Sequence, residues 1–355
     1  MNDLKQRSIE IILQNQSETG AYIASPNFPN YRYCWFRDGA FAAYAMNLVS
    51  QNESAARFHA WAANVINQRQ LLIESTISKA RQGNPIGAGD VLNTRYRLDG
   101  KPAEEDWPNF QLDGLGTWLW ALTEHKRLAG AELPEKWLRA ARLVADYLLA
   151  LWRLPCYDCW EEFPKKIHSY TLASIYAGLR SCAALFGSEY DEALKEIFDL
   201  ITTKGVSAGH FVKFIGSKTV DSSLIGLAVP YQIVQPNDPV MKATIAQIES
   251  GLRSGAGVRR YSTDTYYGGG DWILLTAWLG WYYAEIGDRE KATEALKWVE
   301  AQAGPDGSLP EQVKSNQTDD AYYRSWNERW GAIADPLLWS HANYIIVSNA
   351  LANGH

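Results

Sequence analysis

The chain has 355 residues and a formal net charge of -6, and its aromatic content is high, with 15 Trp and 19 Tyr. The acidic balance and the lack of a Lys/Arg-rich block argue against a nucleic-acid or anionic-membrane partner. No apolar run approaches membrane-spanning length, and the amphipathic start gives no secretory signal, so the sequence predicts a cytoplasmic protein.

Apolar residues recur at helical spacing along almost the whole chain, whereas alternating, strand-like runs are scarce. The pattern predicts about twelve helices. They are expected at 3–15, 38–50, 53–80, 113–129, 135–152, 168–187, 189–203, 221–229, 238–253, 271–287, 288–303 and 337–352. Pro134 and Pro239 suit first turns, and Gly130 and Gly187 follow helix ends, in agreement with these limits.

Long and short connections alternate along the chain. The long ones fall at 16–37, 81–112, 154–167, 204–220, 254–270 and 304–336. This alternation predicts an all-α fold in which two concentric rings of helices close on themselves, with the long loops and the functional site on one face. An irregular all-α protein or an α-solenoid is the alternative, but the sequence has no fixed-period repeat.

The third long loop carries two adjacent carboxylates. Glu161 and Glu162 follow Trp160, and Pro155 breaks the preceding helix, so the pair lies on a loop. A carboxyl group beside an aromatic wall has its pKa raised towards the range of a general acid. Because solvated Glu pairs are common, the catalytic interpretation depends on partners elsewhere in the chain.

Aromatic and hydrogen-bonding side chains are concentrated in the long loops. Taken singly, an aromatic residue usually packs in a core, and an Arg-Asp pair is usually a structural ion pair. Gathered on one face, they indicate a cleft for a neutral polyol, where rings stack on the sugar and polar groups bind its hydroxyls.

Other chemistries find little support in the sequence. Cys156-x-x-Cys159 has no second Cys pair or spaced His pair to complete a zinc site and no βαβ pattern typical of a redox motif. The Gly268–Gly270 run lacks the spacing of a nucleotide loop, and the commonest serine-hydrolase and metalloprotease motifs are absent. We expect no metal and no cofactor.

Several segments, taken in order, resemble motifs of the glucoamylase family, glycoside hydrolase family 15. They are Tyr31–Asp38, Trp107 with Gln111 and Asp113, Tyr157–Glu162, Val220–Leu224, Arg260–Trp272, Leu309–Gln312 and Trp339–His341. The resemblance runs from about residue 22 to 347 and is distributed over all but the ends of the chain.

The resemblance implies an (α/α)6 barrel and an inverting, exo-acting α-glucosidase that releases β-glucose from non-reducing ends. Glu161 is similar to the family's general acid and Glu311 to its general base, with roughly 6.5 to 9.5 Å between their carboxyl groups. Trp160 and Trp107 are expected to surround Glu161 with apolar surface, which favours its protonated form.

The same resemblance implies a set of substrate-binding residues. Those similar to first-subsite residues are Tyr31, Arg37, Asp38 and Trp107. Those similar to second-subsite residues are Glu162, Arg260, Tyr266 and Trp272. Trp35, Gln111, Trp160 and Trp339 complete the predicted set.

The chain also departs from the family pattern. Residues 1–355 are expected to form one catalytic domain, with neither the N-terminal β-sandwich domain of most prokaryotic relatives nor a starch-binding module. The segment after Glu311, at 312–336, is longer than in fungal enzymes, and we expect it to close the cleft around a short α-glucoside such as isomaltose or a malto-oligosaccharide.

The alternatives are a non-catalytic glucan-binding or regulatory protein and an α,α-trehalase-type hydrolase. Linkage preference and oligomeric state stay open.

Overall fold

A computed structural model describes residues 2–103 and 105–353. This part of the chain is predominantly helical. Its α-helices are α1 (Asn2–Gln14), α2 (Phe36–Leu48), α3 (Asn52–Asn67), α4 (Gln70–Arg81), α5 (Asp113–Ala129), α6 (Glu135–Leu151), α7 (Ser169–Phe186), α8 (Asp191–Lys204), α9 (Pro239–Leu252), α10 (Ile273–Glu285), α11 (Arg289–Ala301), α12 (Asp320–Trp330) and α13 (Leu338–Asn353). None of the helices in the described residues is both long and apolar enough to span a membrane.

The helices form two concentric rings. In the inner ring α2, α5, α7, the 3-10 helix Ser222–Leu227, α10 and α13 each pack on the next, and α13 packs on α2 to close the circle. The outer ring consists of α1, α3 with α4, α6, α8, α9 and α11. The predicted all-α class and (α/α)6 barrel are therefore confirmed.

Short two-stranded antiparallel ribbons clip the long loops together. Their strands are β1 (Cys34–Trp35) with β2 (Arg95–Tyr96), β3 (Val206–Ser207) with β4 (His210–Phe211), β5 (Arg253–Ser254) with β6 (Gly257–Val258), and β7 (Asp271–Trp272) with β8 (Gln312–Val313). Because β1 precedes α2 and β7 precedes α10, two of these ribbons fix how the chain enters the inner ring.

Three predicted elements were wrong. The helix expected at 53–80 is divided at Arg69, whose guanidinium donates to Gly100 O at 2.8 Å and lies 4.5 Å from the Tyr96 ring. The helix expected at 221–229 is the 3-10 helix, capped by Asp221 and followed closely by Pro230, which cannot continue a helix. The loop expected at 304–336 contains α12, which has no aliphatic residue larger than Ala to mark a helical period.

The middle of the barrel is filled with aromatic rings rather than left open. Phe41 lies 5.5 Å from Trp278 and 5.7 Å from Trp339, and Trp278 lies 5.8 Å from Trp339, measured between ring centroids. These side chains come from α2, α10 and α13 and are buried. Helix α10 is buried on all sides from Ile273 to Tyr283, as expected for a helix covered by a second ring. These three rings, called the aromatic plug below, therefore fill the barrel axis.

Two glycines allow α5 and α7 to approach at backbone distance. A methyl group added at Gly116 would lie 2.4 Å from Ser174 O, and one at Gly178 would lie 2.8 Å from Gly116 O. Since the clashing atoms are backbone, a side-chain rotation cannot relieve them. The inner ring can close here only with glycine at the crossing.

We expect Gly116→Ala to lower the free energy of unfolding by about 1–3 kcal/mol, because the two helices must move apart. The matched control is Gly251→Ala in α9, where an added methyl group meets nothing within 4 Å. That change should leave stability unchanged or raise it by about 0.5 kcal/mol, since alanine favours the helix. Thermal and urea unfolding of both variants would measure the difference, and equal stability of the two would contradict the proposed close crossing.

Candidate active site

A cavity of about 390 Å³ opens at the end of the barrel where α2, α10 and α13 begin. Five of the six predicted long loops contribute to its wall, and the fourth loop lies behind it. Of the predicted site residues, those that line the cavity are Tyr31, Trp35, Arg37, Asp38, Trp107, Trp160, Glu161, Glu162, Arg260, Tyr266, Trp272, Glu311 and Trp339. The folding of distant loops onto one face thus brings together nearly the whole predicted set.

Arg37 and Asp38 lie in the first turn of α2, both buried at the cavity wall. Arg37 Nε lies 3.3 Å from Asp38 Oδ2, and the Arg37 guanidinium carbon stands 4.9 Å from the centre of the Trp339 ring. Burial raises the pKa of Asp38 to about 6, although the Arg37 charge opposes the shift. Within the described residues, Arg37 Nε and Asp38 Oδ2 are buried atoms that make this ion pair but no hydrogen bond.

Gln111 is the predicted site residue that the structure does not place on the cavity wall. Its Oε1 accepts a hydrogen bond from Arg37 Nη1 at 3.2 Å, and its Nε2 donates to Pro108 O at 3.1 Å. Asp113 Oδ2 accepts a second bond from Arg37 Nη1, also at 3.2 Å. Gln111 and Asp113 therefore fix the Arg37 guanidinium from behind.

The Glu161 carboxyl group is presented by a tight turn closed through Asp158. Asp158 Oδ1 accepts hydrogen bonds from the backbone N–H groups of Trp160 at 3.0 Å and Glu162 at 2.8 Å. Asp158 O accepts from Glu161 N at 2.9 Å, and Glu161 has a φ of 68°. A non-glycine residue in this left-handed region is strained by roughly 1 kcal/mol or more, so the surrounding bonds are needed to keep it there.

Trp35 contacts the Glu161 side chain directly, with Nε1 donating to Glu161 Oε1 at 2.7 Å. The backbone of Trp35 is held in β1, opposite Arg95 in β2. Trp107, expected beside Glu161, packs edge-on to Trp35 at 6.0 Å and stacks on the Arg95 guanidinium carbon at 3.6 Å. The indole that orients Glu161 is therefore Trp35, while Trp107 supports it from the side.

Glu311 lies at the other side of the cavity and is 3% exposed. Its Oε1 accepts a hydrogen bond from Tyr31 OH at 3.1 Å, and Tyr31 OH lies 2.9 Å from Tyr266 OH. Burial raises the pKa of Glu311 to about 8, and Arg260 and the two tyrosines oppose that rise. Glu311 lines the cavity, and its Oε2 is buried and has no hydrogen-bond partner among the described residues.

Arg260 occupies a cage of aromatic rings. Its Nε donates to Asp264 Oδ2 at 2.7 Å, and its Nη2 pairs with Asp264 Oδ1 and lies 3.6 Å from Glu162 Oε1. The guanidinium carbon stands between 5.1 and 5.4 Å from the rings of Trp160, Trp272 and Tyr266. A charge-neutralised Arg set among rings gives the cavity a planar, polar patch beside its aromatic side chains.

Helix α12 forms the outer wall of the cavity. The Trp326 ring lies 5.1 Å from Tyr266, and the Trp330 ring stacks on Trp107 at 6.2 Å and 26°. Arg329 lines the cavity between them and lies over both Trp rings of its own helix. The three side chains are spaced by three and four residues, which places them on one helix face. The sequence analysis did not include Arg329 among the site residues, although this spacing from Trp326 could have indicated it.

The arrangement offers two carboxyl groups, on different loops, that line one cavity. Glu161 is bonded to Trp35 and Glu311 to Tyr31, and the centroids of these two rings lie 5.5 Å apart. One partly exposed and one buried carboxyl group facing a shared cavity can donate and accept protons on a molecule held there. All four cysteines in the described residues are buried free thiols, and Cys159 alone among them lines the cavity.

Comparison with known proteins places the chain in a family. The profile of glycosyl hydrolases family 15 matches residues 2–304. The chain is 38% identical over 359 residues to the isomaltose glucohydrolase of Kribbella flavida, with 99% of this chain and 93% of that protein covered. It is 24% identical over 320 residues to trehalase 2 of Sulfolobus acidocaldarius, with 82% of this chain and 55% of that protein covered.

Solved structures agree with the sequence comparison. A glycosidase variant in complex with glucose superimposes with a TM-score of 0.95 at 38% identity, covering 99% of this chain and 96% of that one. A bacterial glucoamylase complexed with acarbose matches with a TM-score of 0.78 at 21% identity, covering 98% of this chain and 55% of that one, and so shares the fold. The chain therefore belongs to glycosyl hydrolases family 15 and is a glycoside hydrolase.

Proposed function

We propose that the chain is an inverting, exo-acting α-glucoside hydrolase that releases β-glucose from the non-reducing end of short substrates, with isomaltose the first candidate. The observation that carries the proposal is the pair Glu161 and Glu311, each held by its own aromatic hydrogen-bond donor on a shared cavity. The 38% identity to an isomaltose glucohydrolase over 99% of the chain supports the choice of substrate.

In the proposed reaction Glu161 is the general acid. It gives its proton to the glycosidic oxygen, the bond from that oxygen to the anomeric carbon breaks, and the aglycone leaves as an alcohol. Glu311 is the general base. Its carboxylate, which lines the cavity, accepts a proton from the water that attacks the anomeric carbon from the opposite face. One water is consumed, and the configuration at the anomeric carbon is inverted.

The glucose ring is proposed to bind over the Arg37–Asp38 pair. The Arg37 guanidinium and the Asp38 carboxylate supply hydrogen-bond donors and acceptors in the cavity wall, and Trp339 supplies an apolar surface beside them. Gln111 and Asp113 then act as positioning residues, because they hold Arg37 without lining the cavity. The aglycone is proposed to lie towards Glu162, Arg260 and α12.

The proposed preference for short substrates rests on α12. Thr318 N donates to Gly268 O at 2.8 Å just before the helix, and Trp330 at its end packs on Trp107 and lies 6.3 Å from Phe28. The helix is thus attached to walls on both sides of the cavity mouth. A wall of Trp rings at this position leaves room for a small aglycone and none for a long glucan chain along the same path.

The acid and base roles predict the effect of two isosteric changes. Glu161→Gln and Glu311→Gln, made separately, are each expected to lower kcat on isomaltose at least about 10³-fold, since proton transfer by the positioned group is lost. Thermal unfolding should be nearly unchanged because the amide keeps the shape of the carboxyl group. Glu132→Gln, an exposed change on the far surface, is the matched control. Substantial turnover by either site variant would refute its assigned role.

The electrostatics of Glu311 predict the pH dependence. A base acts only when ionised, and burial raises the Glu311 pKa from 4.5 to about 8, so activity should be lost on acidification earlier than for an ordinary glutamate. The acid limb of kcat/KM against pH should therefore lie above the usual glutamate range. Asp38 contributes to the raised pKa of Glu311, so Asp38→Asn should move this limb to lower pH while reducing kcat/KM. A limb that Asp38→Asn leaves in place argues against Glu311 as the titrating base.

A substrate panel followed by NMR tests reaction and length together. Isomaltose, maltose, trehalose and maltoheptaose are compared per bond, and β-glucose is the expected first product; α-glucose would overturn the two-carboxylate roles. Isomaltose should be cleaved fastest, and a dominant rate on trehalose would favour the trehalase-type alternative.

The same panel is then applied to a variant of α12. Trp326→Ala should raise KM for isomaltose about tenfold or more, because an apolar contact is lost. It should also reduce the difference between the rates per bond on isomaltose and on maltoheptaose. Tyr322→Ala is the matched control, because this exposed residue of α12 does not line the cavity. If wild-type protein cleaves maltoheptaose or soluble starch faster per bond than isomaltose, the proposed short-substrate preference is wrong.

A further inference from the structure

A buried lysine lies behind the acid turn, outside the cavity wall. Lys213 follows β4, and its side chain is 6% exposed. Its Nζ lies 2.8 Å from Asp221 Oδ2 and 3.5 Å from Asp158 Oδ2, and both carboxylates are themselves buried. Burying two acids and a cation carries a large desolvation cost, so the cluster is retained against a stability penalty that an apolar core would avoid. Such a cluster calls for a role beyond packing.

The first contact of Lys213 leads to the backbone around Glu161. Asp158 uses Oδ1 to bind the N–H groups of Trp160 and Glu162, while its Oδ2 faces Lys213. Burial raises the pKa of Asp158 to about 7, even though the Lys213 charge opposes the rise. An ionised Asp158 binds two N–H donors more strongly than a neutral one, so the cation supports the turn that keeps Glu161 in its strained conformation.

The second contact leads to the indole that precedes Glu161. Both carboxylate oxygens of Asp221 lie 3.1 Å from Trp160 Nε1, and Asp221 Oδ1 also accepts from Ser223 N at 2.8 Å. Burial raises the pKa of Asp221, but the Lys213 charge together with hydrogen bonds from Lys213 and Ser223 outweighs burial and holds that pKa below its usual value. Trp160 is therefore anchored by a carboxylate whose own charge is balanced by Lys213.

The third contact leads to Glu162. Lys213 Nζ stands 3.4 Å from the centre of the Tyr261 ring, and the Tyr261 hydroxyl donates to Glu162 Oε2. Three consecutive residues of the acid turn thus depend on groups that touch one ammonium: Trp160 through Asp221, Glu161 through Asp158, and Glu162 through Tyr261. Within the described residues, Lys213 is the cation that pairs with both Asp158 and Asp221.

We propose that Lys213 is a positioning residue for the general acid: by pairing with Asp158 and Asp221 it holds the 158–162 turn in the conformation that aims the Glu161 carboxyl group at the glycosidic oxygen. This inference rests on the proposed acid role of Glu161. It assigns to the fourth long loop, which contributes nothing to the cavity wall, a function in the chemistry.

The experiment compares two substrates that differ in their need for an acid. The leaving group of isomaltose is glucose, whose 6-oxygen needs a proton as it departs, whereas fluoride leaves α-glucosyl fluoride with little help from a general acid. If Lys213 acts through Glu161, Lys213→Met should lower kcat on isomaltose about 10²-fold or more and kcat on α-glucosyl fluoride less than about tenfold. Glu161→Ala provides the reference pattern. Lys195→Met, an exposed lysine on α8, should leave both rates unchanged.

A second variant guards against failure to fold. In Lys213→Met with Asp221→Asn, one buried negative charge is removed together with the cation, and the amide oxygen can still accept from Trp160 Nε1. This double variant should fold and should again lose much more activity on isomaltose than on the fluoride.

The outcomes separate the two claims. Suppose that Glu161→Ala retains activity on α-glucosyl fluoride but the Lys213 variants lose activity equally on both substrates. Lys213 would then only maintain the cavity, and the inference would be overturned. A Glu161→Ala variant that loses both substrates equally would overturn the acid role itself, and the Lys213 inference with it. A loss confined to KM, with kcat retained on isomaltose, would also overturn it, because a misdirected acid lowers the rate of the chemical step.

Discussion

The site depends on two hydrogen bonds made by one short segment. Within Tyr31–Asp38, Trp35 Nε1 binds Glu161 and Tyr31 OH binds Glu311. The same segment ends in the Arg37–Asp38 pair, already inside α2. Because β1 and the first turn of α2 fix the second half of this segment, Trp35 and the Arg37–Asp38 pair share one rigid frame, and Tyr31 lies only three residues before it. Any shift of the first loop would therefore disturb both sides of the proposed reaction together.

Buried charge is arranged in pairs around the apolar wall. Arg37 is balanced by Asp38 and Asp113, and Arg260 by Asp264 and Glu162. Lys213 is balanced in the same way behind the acid turn. An isolated buried charge costs several kcal/mol, and an opposite charge beside it offsets part of that cost. The pairs therefore allow the site to hold polar groups in fixed directions while they stay buried. Glu311 differs: among the described residues it has hydroxyl donors but no ion pair, and burial raises its pKa accordingly.

The sequence predicted the ring of helices and most of the cavity because both depend on local signals. Helical period and loop alternation can be read along the chain. The motifs around Arg37, Glu161, Arg260 and Glu311 place unusual side chains in long loops, and a closed double ring of helices puts those loops on one face. Gln111 was predicted to contact the substrate, but its side chain binds Arg37 instead. The direction of this side chain depends on how Arg37 packs, which no sequence spacing reveals. Helix α12 was missed because aromatic and charged residues carry its period. Lys213 could not be found, because a single lysine in a loop usually lies in solvent.

The aromatic plug of Phe41, Trp278 and Trp339 has a kinetic consequence. The three buried rings pack on one another, and Trp339 also lies beside Arg37 in the cavity wall, so the proposed glucose site lies at the end of the cavity nearest the barrel core. In the proposed binding mode, the freed glucose lies at this inner end and the aglycone lies at the mouth. The aglycone must depart before the glucose can follow, and a remaining oligosaccharide cannot slide inward to be cut again. Each encounter would then yield one glucose, and the enzyme would act distributively rather than processively.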